Sequence, residues 1–179
     1  NPVSGILKVF VEGDNIYYQD NNLSIYNIVN ENGILFLSAD ELSNNQVIGL
    51  SNSPIGTLIV TREKGLLLKQ NGVKPFNPSL SKTLAADVLY SYVKTKNGQL
   101  VLGSISNGVY ILSSTGELLQ HISTEDGLPN NTVLAVYVDN QNGLWLGLDN
   151  GLSYVPLSSP INFYSSEKDL IGTVYTTKI

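Results

Sequence analysis

The sequence predicts an all-β fold built from repeated four-stranded antiparallel units. Two observations predict it: a composition poor in helix formers, and glycine markers that recur every 42–45 residues. Charged residues make up only 14% of the 179-residue chain, well under the usual quarter of a soluble domain. Polarity comes instead from 20 Asn and 19 Ser, which favour turns over helix faces. Only 9 Lys, 1 Arg and 7 Glu are present and there is no Met, so a helical bundle is excluded. Ten Tyr, 4 Phe and many branched aliphatics argue against disorder. The net charge of −5 and the lack of any basic run argue against nucleic acid and against direct membrane contact. With no cysteine, disulfides, Cys-bound zinc and thiol catalysis are excluded. No apolar run approaches the roughly 18 residues of a membrane span. Nor does the sequence open with a basic segment followed by an apolar one, so no signal peptide is read in it.

The repeat is clearest over Val133 to Val155, VLAVYVDNQNGLWLGLDNGLSYV. Val88 to Leu112, VLYSYVKTKNGQLVLGSISNGVYIL, aligns with it almost residue for residue. Gly98 then matches Gly143, Gly103 falls within one residue of Gly147, and Gly108 matches Gly151. Val47 to Leu68 is a third copy, with Gly56 and Gly65 in the corresponding places. A worn fourth copy opens the chain, where Gly13 precedes Ile16-Tyr17-Tyr18. Gly13, Gly56, Gly98 and Gly143 are separated by 43, 42 and 45 residues, and Gly65, Gly108 and Gly151 by 43 each. Leu42-Ser43-Asn44-Asn45-Gln46-Val47 recurs two periods later as Leu128-Pro129-Asn130-Asn131-Thr132-Val133.

Each period holds four short strands. In the best copy the first is Val133–Val138, apolar on both faces and therefore covered on both. Asp139 to Gly143 forms a turn, Leu144–Leu148 the second strand, and Asp149-Asn150-Gly151 the next turn. Leu152–Val155 is the third strand and Ile161–Tyr164 the fourth. Asn-Gly sequences supply the positive φ that tight hairpins need. The fourth strands of the other copies are Ile34–Ser38, Val73–Phe76 and Leu118–Ile122. Ser79–Tyr90 has Leu80, Leu84 and Val88 at helical spacing but falls between units, so it is read as a loop with at most a helical turn.

A four-stranded meander of about 40–45 residues is the unit of a β-propeller blade. Such units bury both faces only by stacking on neighbours. The expected blades span 3–43, 44–84, 85–129 and 130–170, and 171–179 begins a further blade. Four blades plus one strand suggest a piece of a larger propeller.

Leu128-Pro-Asn-Asn-Thr-Val, Asp139, Asn142-Gly-Leu-Trp-Leu-Gly and Asp149-Asn-Gly-Leu closely resemble the regulator-propeller repeat of bacterial sensors. The resemblance is strong at 126–155, moderate at 88–112 and weak in the first two copies. It implies the periplasmic sensor region of a two-component histidine kinase, often a hybrid one, that detects glycan fragments. It further implies an oligosaccharide and the remaining blades of the parent chain as partners. The competing expectations are a carbohydrate-active propeller lyase or glycosidase, and a scaffold that only binds protein.

The signature residues Gly56, Gly98, Gly143, Trp145, Gly147 and Gly151 are expected to be structural. Trp145 should pack, largely buried, against an adjacent blade, with Tyr17, Ile59 and Val101 near the matching place. Its loss should then cost about 3–5 kcal/mol. No metal site is expected, because the loop at Asp139 misses the order of a calcium loop. No cofactor and no catalytic residue is expected. His121 lacks metal-binding companions and reads as a strand residue. Glu63, Glu125, Asp126, Asp139 and Asp149 all fall in loops, the type of pair a glycosidase uses. Loops between blades and between second and third strands should share one face. That face carries Arg62, Glu63, Asp126, Asn130, Asn131, Asp149 and Asn150 as candidate ligand-binding residues. The end blades of an open arc should expose apolar faces, and the chain is expected to form a homo-oligomer.

Overall fold

A computed structural model describes residues 5–157. Its strands form four antiparallel sheets, each a meander in chain order. The first holds β1 (Ile6–Glu12), β2 (Asn15–Asp20), β3 (Ile25–Val29) and β4 (Asn32–Leu37). The second holds β5 (Val47–Ser53), β6 (Gly56–Thr61), β7 (Gly65–Lys69) and β8 (Val73–Pro75). The third holds β9 (Leu89–Lys94), β10 (Leu100–Ser104), β11 (Val109–Leu112) and β12 (Leu118–Ile122). The fourth holds β13 (Val133–Val138), β14 (Gly143–Leu148) and β15 (Gly151–Pro156). The expected strands Ile161–Tyr164 and 171–179 lie outside the described residues.

The first strands of successive sheets touch one another, β1 on β5, β5 on β9 and β9 on β13. They are the innermost strands, and the sheets fan outward from them as β-propeller blades. Alternation along each strand sends side chains to both neighbouring blades. Phe10, Tyr17, Ile25 and Leu37 of the first blade pack on Leu50, Ile59 and Leu67 of the second. Leu58, Val60, Leu66 and Leu68 leave the other face of that blade and meet Leu100, Leu102, Tyr110 and Leu112. Val101, Val109 and Ile111 then meet Leu144, Leu146 and Val155 of the fourth blade. Each such aliphatic, fully buried, contributes roughly 1.5–3 kcal/mol, so blade stacking is the main source of stability. Close approach of the inner strands needs a small residue. A Cβ on Gly49 would lie 2.3 Å from the Tyr92 ring, so that ring lies against bare backbone.

Three sequence expectations need correction. The segment between the second and third blades is an α-helix, α1 (Pro78–Ala86), and not a loop with one turn. Asn77 caps it by accepting from the Leu80 amide, and a proline follows at the start, where its missing N–H costs nothing. Leu80 and Leu84 bury beneath it. The Ser81 hydroxyl accepts from Leu66 N–H at 2.9 Å and donates to the Phe76 carbonyl at 2.6 Å.

Trp145 is 37% exposed rather than buried, because β14 turns it away from the third blade while Leu144 and Leu146 face inward. Its ring lies 4.9 Å from Tyr154, its cross-strand neighbour. Ile59 does not share its face: Leu58 and Val60 are the residues that point toward the following blade, as Val101 does.

The Asn-Gly turn at 142–143 supplies the positive φ expected of it. Asn142 takes the left-handed conformation, with φ 63°. Gly143 is required for space instead, since a Cβ there would lie 2.4 Å from the Tyr154 ring.

Candidate functional site: the loop face

One backbone bond recurs from blade to blade and builds this face. Arg62 N–H donates to the Gln46 carbonyl at 2.8 Å, Ile105 N–H to Val88 at 3.0 Å, and Asp149 N–H to Thr132 at 3.2 Å. In each blade the residue after the second strand is tied to the residue before the first. The turns between second and third strands therefore sit beside the segments that join blades. Further bonds fasten neighbouring blades: Gly108 N–H donates to Asn131 O at 2.8 Å, and the Thr132 hydroxyl donates to Ile105 O at 2.8 Å.

The candidate residues divide by what their side chains do. Asp126 accepts from the Ser123 amide and hydroxyl, closing a short capped turn over Thr124–Asp126. Asn130 accepts from Thr132 N–H at 2.7 Å, and Asn131 from Thr124 N–H at 2.8 Å. These three acceptors hold the loop between the third and fourth blades. Asp149 and Asn150 lie exposed in the turn between β14 and β15.

Arg62 is half-buried and Glu63 exposed, and they meet a ring from the next blade. The Arg62 guanidinium lies 5.1 Å from the centre of the Tyr90 ring and 3.8 Å from a Glu63 carboxylate oxygen. Glu63 N–H is anchored at 3.0 Å by Asn45 Oδ1, which is buried. Tyr90 is 42% exposed at the start of β9. Sequence reasoning missed Tyr90, because it ended the segment read as an inter-blade loop. Its place in the first strand, one residue after Leu89, was the available signal.

A second polar group forms at the end of α1, around its C-cap Asp87. The Tyr110 hydroxyl donates to Asp87 Oδ2, and Asn107 Nδ2 donates to both, at 3.2 Å to Asp87 and 3.0 Å to Tyr110. His121, on β12, stacks on Tyr110 with ring centres 4.3 Å apart, and its Nε2 lies 2.7 Å from the Asn107 carbonyl. Burial first, and then the hydrogen bond and charge of Asp87, push the Tyr110 hydroxyl far above the ordinary tyrosine range. It stays neutral and donates. This network fixes the turn at Asn107 against the end of α1.

At the opposite end of the inner strands, Glu12 accepts from Lys94 Nζ at 2.6 Å and from Asn52 N–H at 2.9 Å. That ion pair joins the first blade to the third. Among the described residues, no three of His, Cys, Asp and Glu gather as a metal set. Nor does any helix among them have the length and apolarity to cross a membrane.

The radial stack of meanders defines the class: a β-propeller. Residues 127–150 match the model of the two component regulator propeller, so the fourth blade carries that repeat. No curated protein matches the chain. Among solved structures, it resembles the extracellular domain of BT3049, described as a hybrid two component system of B. thetaiotaomicron. The TM-score is 0.62 at 14% identity, over 86% of this chain and 21% of that one. The extracellular domain of BT4673, described as a one component system of the same organism, gives 0.56 at 24%, over 83% and 21%. A streptogramin B lyase gives 0.56 at 17%, over 89% and 57%. The chain thus spans about a fifth of either extracellular-domain structure, and these likenesses establish the propeller fold.

Proposed function

We propose that this chain is a segment of the periplasmic sensing propeller of a bacterial two-component receptor. On this reading its loop face recognises an oligosaccharide fragment and performs no chemistry on it. The carrying observation is the Arg62–Tyr90–Glu63 cluster, with Tyr90 and Glu63 exposed and Arg62 half-buried between them, on a scaffold whose fourth blade matches a regulator-propeller repeat. An exposed tyrosine offers a flat apolar surface to the C–H face of a sugar ring. Arg62 and Glu63 supply several donors and acceptors to its hydroxyls. The neighbouring loops are pinned by backbone bonds, so the cluster meets a ligand largely preorganised, which lowers the cost of binding. Recognition without catalysis is favoured because Asp126 and Asp139 each hold a turn through their carboxylates, which removes two of the five acids from a glycosidase pair. The outer faces of the first and fourth blades are then the seats of further blades of the parent protein.

The test is calorimetric titration of the chain with a panel of oligosaccharides. At least one should bind, and Arg62→Ala and Tyr90→Ala should each weaken it about tenfold or more while the melting temperature holds. A panel without binders, or a binder indifferent to both substitutions, would overturn the reading. Turnover of a bound sugar would favour the enzyme.

A further inference from the structure

Asparagine followed by glycine is a reactive pair, because no side chain on the glycine shields its amide nitrogen from the asparagine side chain. The chain holds six such pairs, beginning at Asn32, Asn71, Asn97, Asn107, Asn142 and Asn150. The fold treats them unequally. In three of them the glycine N–H is already engaged. Gly98 N–H donates to Thr95 O at 3.0 Å, Gly108 N–H to Asn131 O at 2.8 Å, and Gly143 N–H to Asp139 Oδ1 at 2.8 Å. Asn107 is held further, since its Nδ2 donates to Asp87 and to Tyr110. Asn32 lies within β4, its Nδ2 on Asn30 O at 2.9 Å. Gly151 opens β15 and pairs with Leu148 across the turn at Asp149-Asn150, which fixes its backbone.

Asn71-Gly72 escapes these restraints. It lies in the turn between β7 and β8, outside both strands. Both residues are exposed, and a Cβ on Gly72 would meet no atom within 4 Å. A bond from Gln70 N–H to Gly72 O at 3.0 Å crosses the turn and leaves the Gly72 nitrogen free. Among the described residues, neither the Asn71 side chain nor the Gly72 N–H has a hydrogen-bond partner. The three residues of β8 pair with β7 alone, so little holds the turn rigid.

We propose that Asn71 is a site of spontaneous covalent modification: deamidation through a cyclic imide, with water as co-reactant. The Gly72 nitrogen gives its proton to solvent and attacks Asn71 Cγ. A C–N bond forms, the side-chain nitrogen takes up a proton and leaves as ammonia, and a succinimide closes. Water then adds to one imide carbonyl and breaks its C–N bond, giving aspartate or isoaspartate. Nothing is oxidised or reduced, and either product carries a new carboxylate. In isoaspartate the main chain also runs through the former side chain, which lengthens the turn and loosens β8. The disturbance ends at Phe76, whose N–H donates to Leu66 O at 2.9 Å and whose carbonyl accepts from the Ser81 hydroxyl. The guarded pairs react only after local opening frees the glycine nitrogen, so their rates fall with the open fraction.

The experiment holds the folded chain in mildly alkaline buffer and follows all six sites by peptide mapping with mass spectrometry, beside the same chain unfolded in urea. In the folded chain Asn71 should react first, faster than Asn97, Asn107 and Asn142 by about tenfold or more. Its rate should rise with pH, because the attacking nitrogen must lose its proton. In urea its advantage should disappear, since the bonds that guard the other pairs are gone. Asn71→Gln should remove the earliest acidic species seen by isoelectric focusing and leave the melting temperature unchanged. Another pair reacting first in the folded chain overturns the proposal. So does an advantage that persists undiminished in urea, which would assign it to the local sequence and not to the fold.

Discussion

Asp139 closes the hairpin between β13 and β14 with a single carboxylate. One oxygen accepts from Gln141 and Gly143 N–H, both at 2.8 Å, and the other from the Trp145 indole at 3.0 Å. The Gly143 bond first, then the indole, holds its pKa below the usual aspartate value. A depressed carboxylate contributes stability that is present above its unfolded pKa, near 3.9, and is lost as pH falls through the folded value. Trp145 emission should therefore titrate with a midpoint below that of a free aspartate, and Asp139→Ala should remove the transition. A midpoint at or above about 4 would show that the indole bond does not form in solution. Gly108 makes a second residue-scale case. Its φ is +71°, and a Cβ would lie 2.1 Å from the Ile122 carbonyl. Gly108→Ala should lower stability by more than about 2 kcal/mol in urea denaturation, since left-handed strain and a backbone clash act together. The sequence marked Gly108 correctly by its period. It misread Trp145, because a tryptophan in a repeat does not reveal which face its strand turns toward the neighbouring blade. That depends on the register of the pleat.

At the scale of the element, α1 shows where periodicity fell short. The spacing of Leu80, Leu84 and Val88 was visible, but an all-β repeat left no expected place for a helix. What decides it is local: an Asn-Pro start and two leucines with a buried surface to cover. Leu84 is fully buried, so Leu84→Ala should cost about 2–5 kcal/mol. A smaller loss would mean that the helix docks loosely. Just beyond the helix, Val88 adopts φ +54°, a conformation that crowds any β-branched side chain. Glycine is the usual residue where a helix passes into the left-handed region. Val88→Gly should raise stability by about 1 kcal/mol, and a loss instead would mean that the valine side chain contributes more by packing than the backbone loses by strain. The candidate loop residues were legible as a group, since turns and blade junctions repeat. Their separation into scaffold and free surface was not. It depends on hydrogen bonds such as those of Asn130 and Asn131, whose partners no spacing discloses.

At the scale of the molecule, the repeat made the blades legible, and the structure adds which faces remain uncovered. The first blade turns Val9, Val11 and Leu35 outward, exposed by 54, 70 and 55%. The fourth turns Tyr137, Trp145, Leu152 and Tyr154 outward, with Leu152 at 66%. Register puts Tyr137, Trp145 and Tyr154 side by side across three strands, so they form one contiguous patch rather than scattered residues. Both patches are of the kind that elsewhere in this chain packs on the next blade. Soluble monomers rarely expose apolar faces of that extent. The isolated chain is therefore expected to self-associate, the outer face of the first blade in one copy meeting that of the fourth blade in another. Two four-blade arcs joined at both ends satisfy all four faces with two-fold symmetry, whereas a single joint leaves two faces free and invites longer assemblies. A charged residue in the patch should oppose either outcome: Leu152→Glu desolvates a carboxylate at the joint and should shift the chain toward monomer. Light scattering at micromolar concentration decides the matter. A dimer that Leu152→Glu dissociates supports pairing through these faces, and a 19.4 kDa monomer in the unaltered chain refutes it.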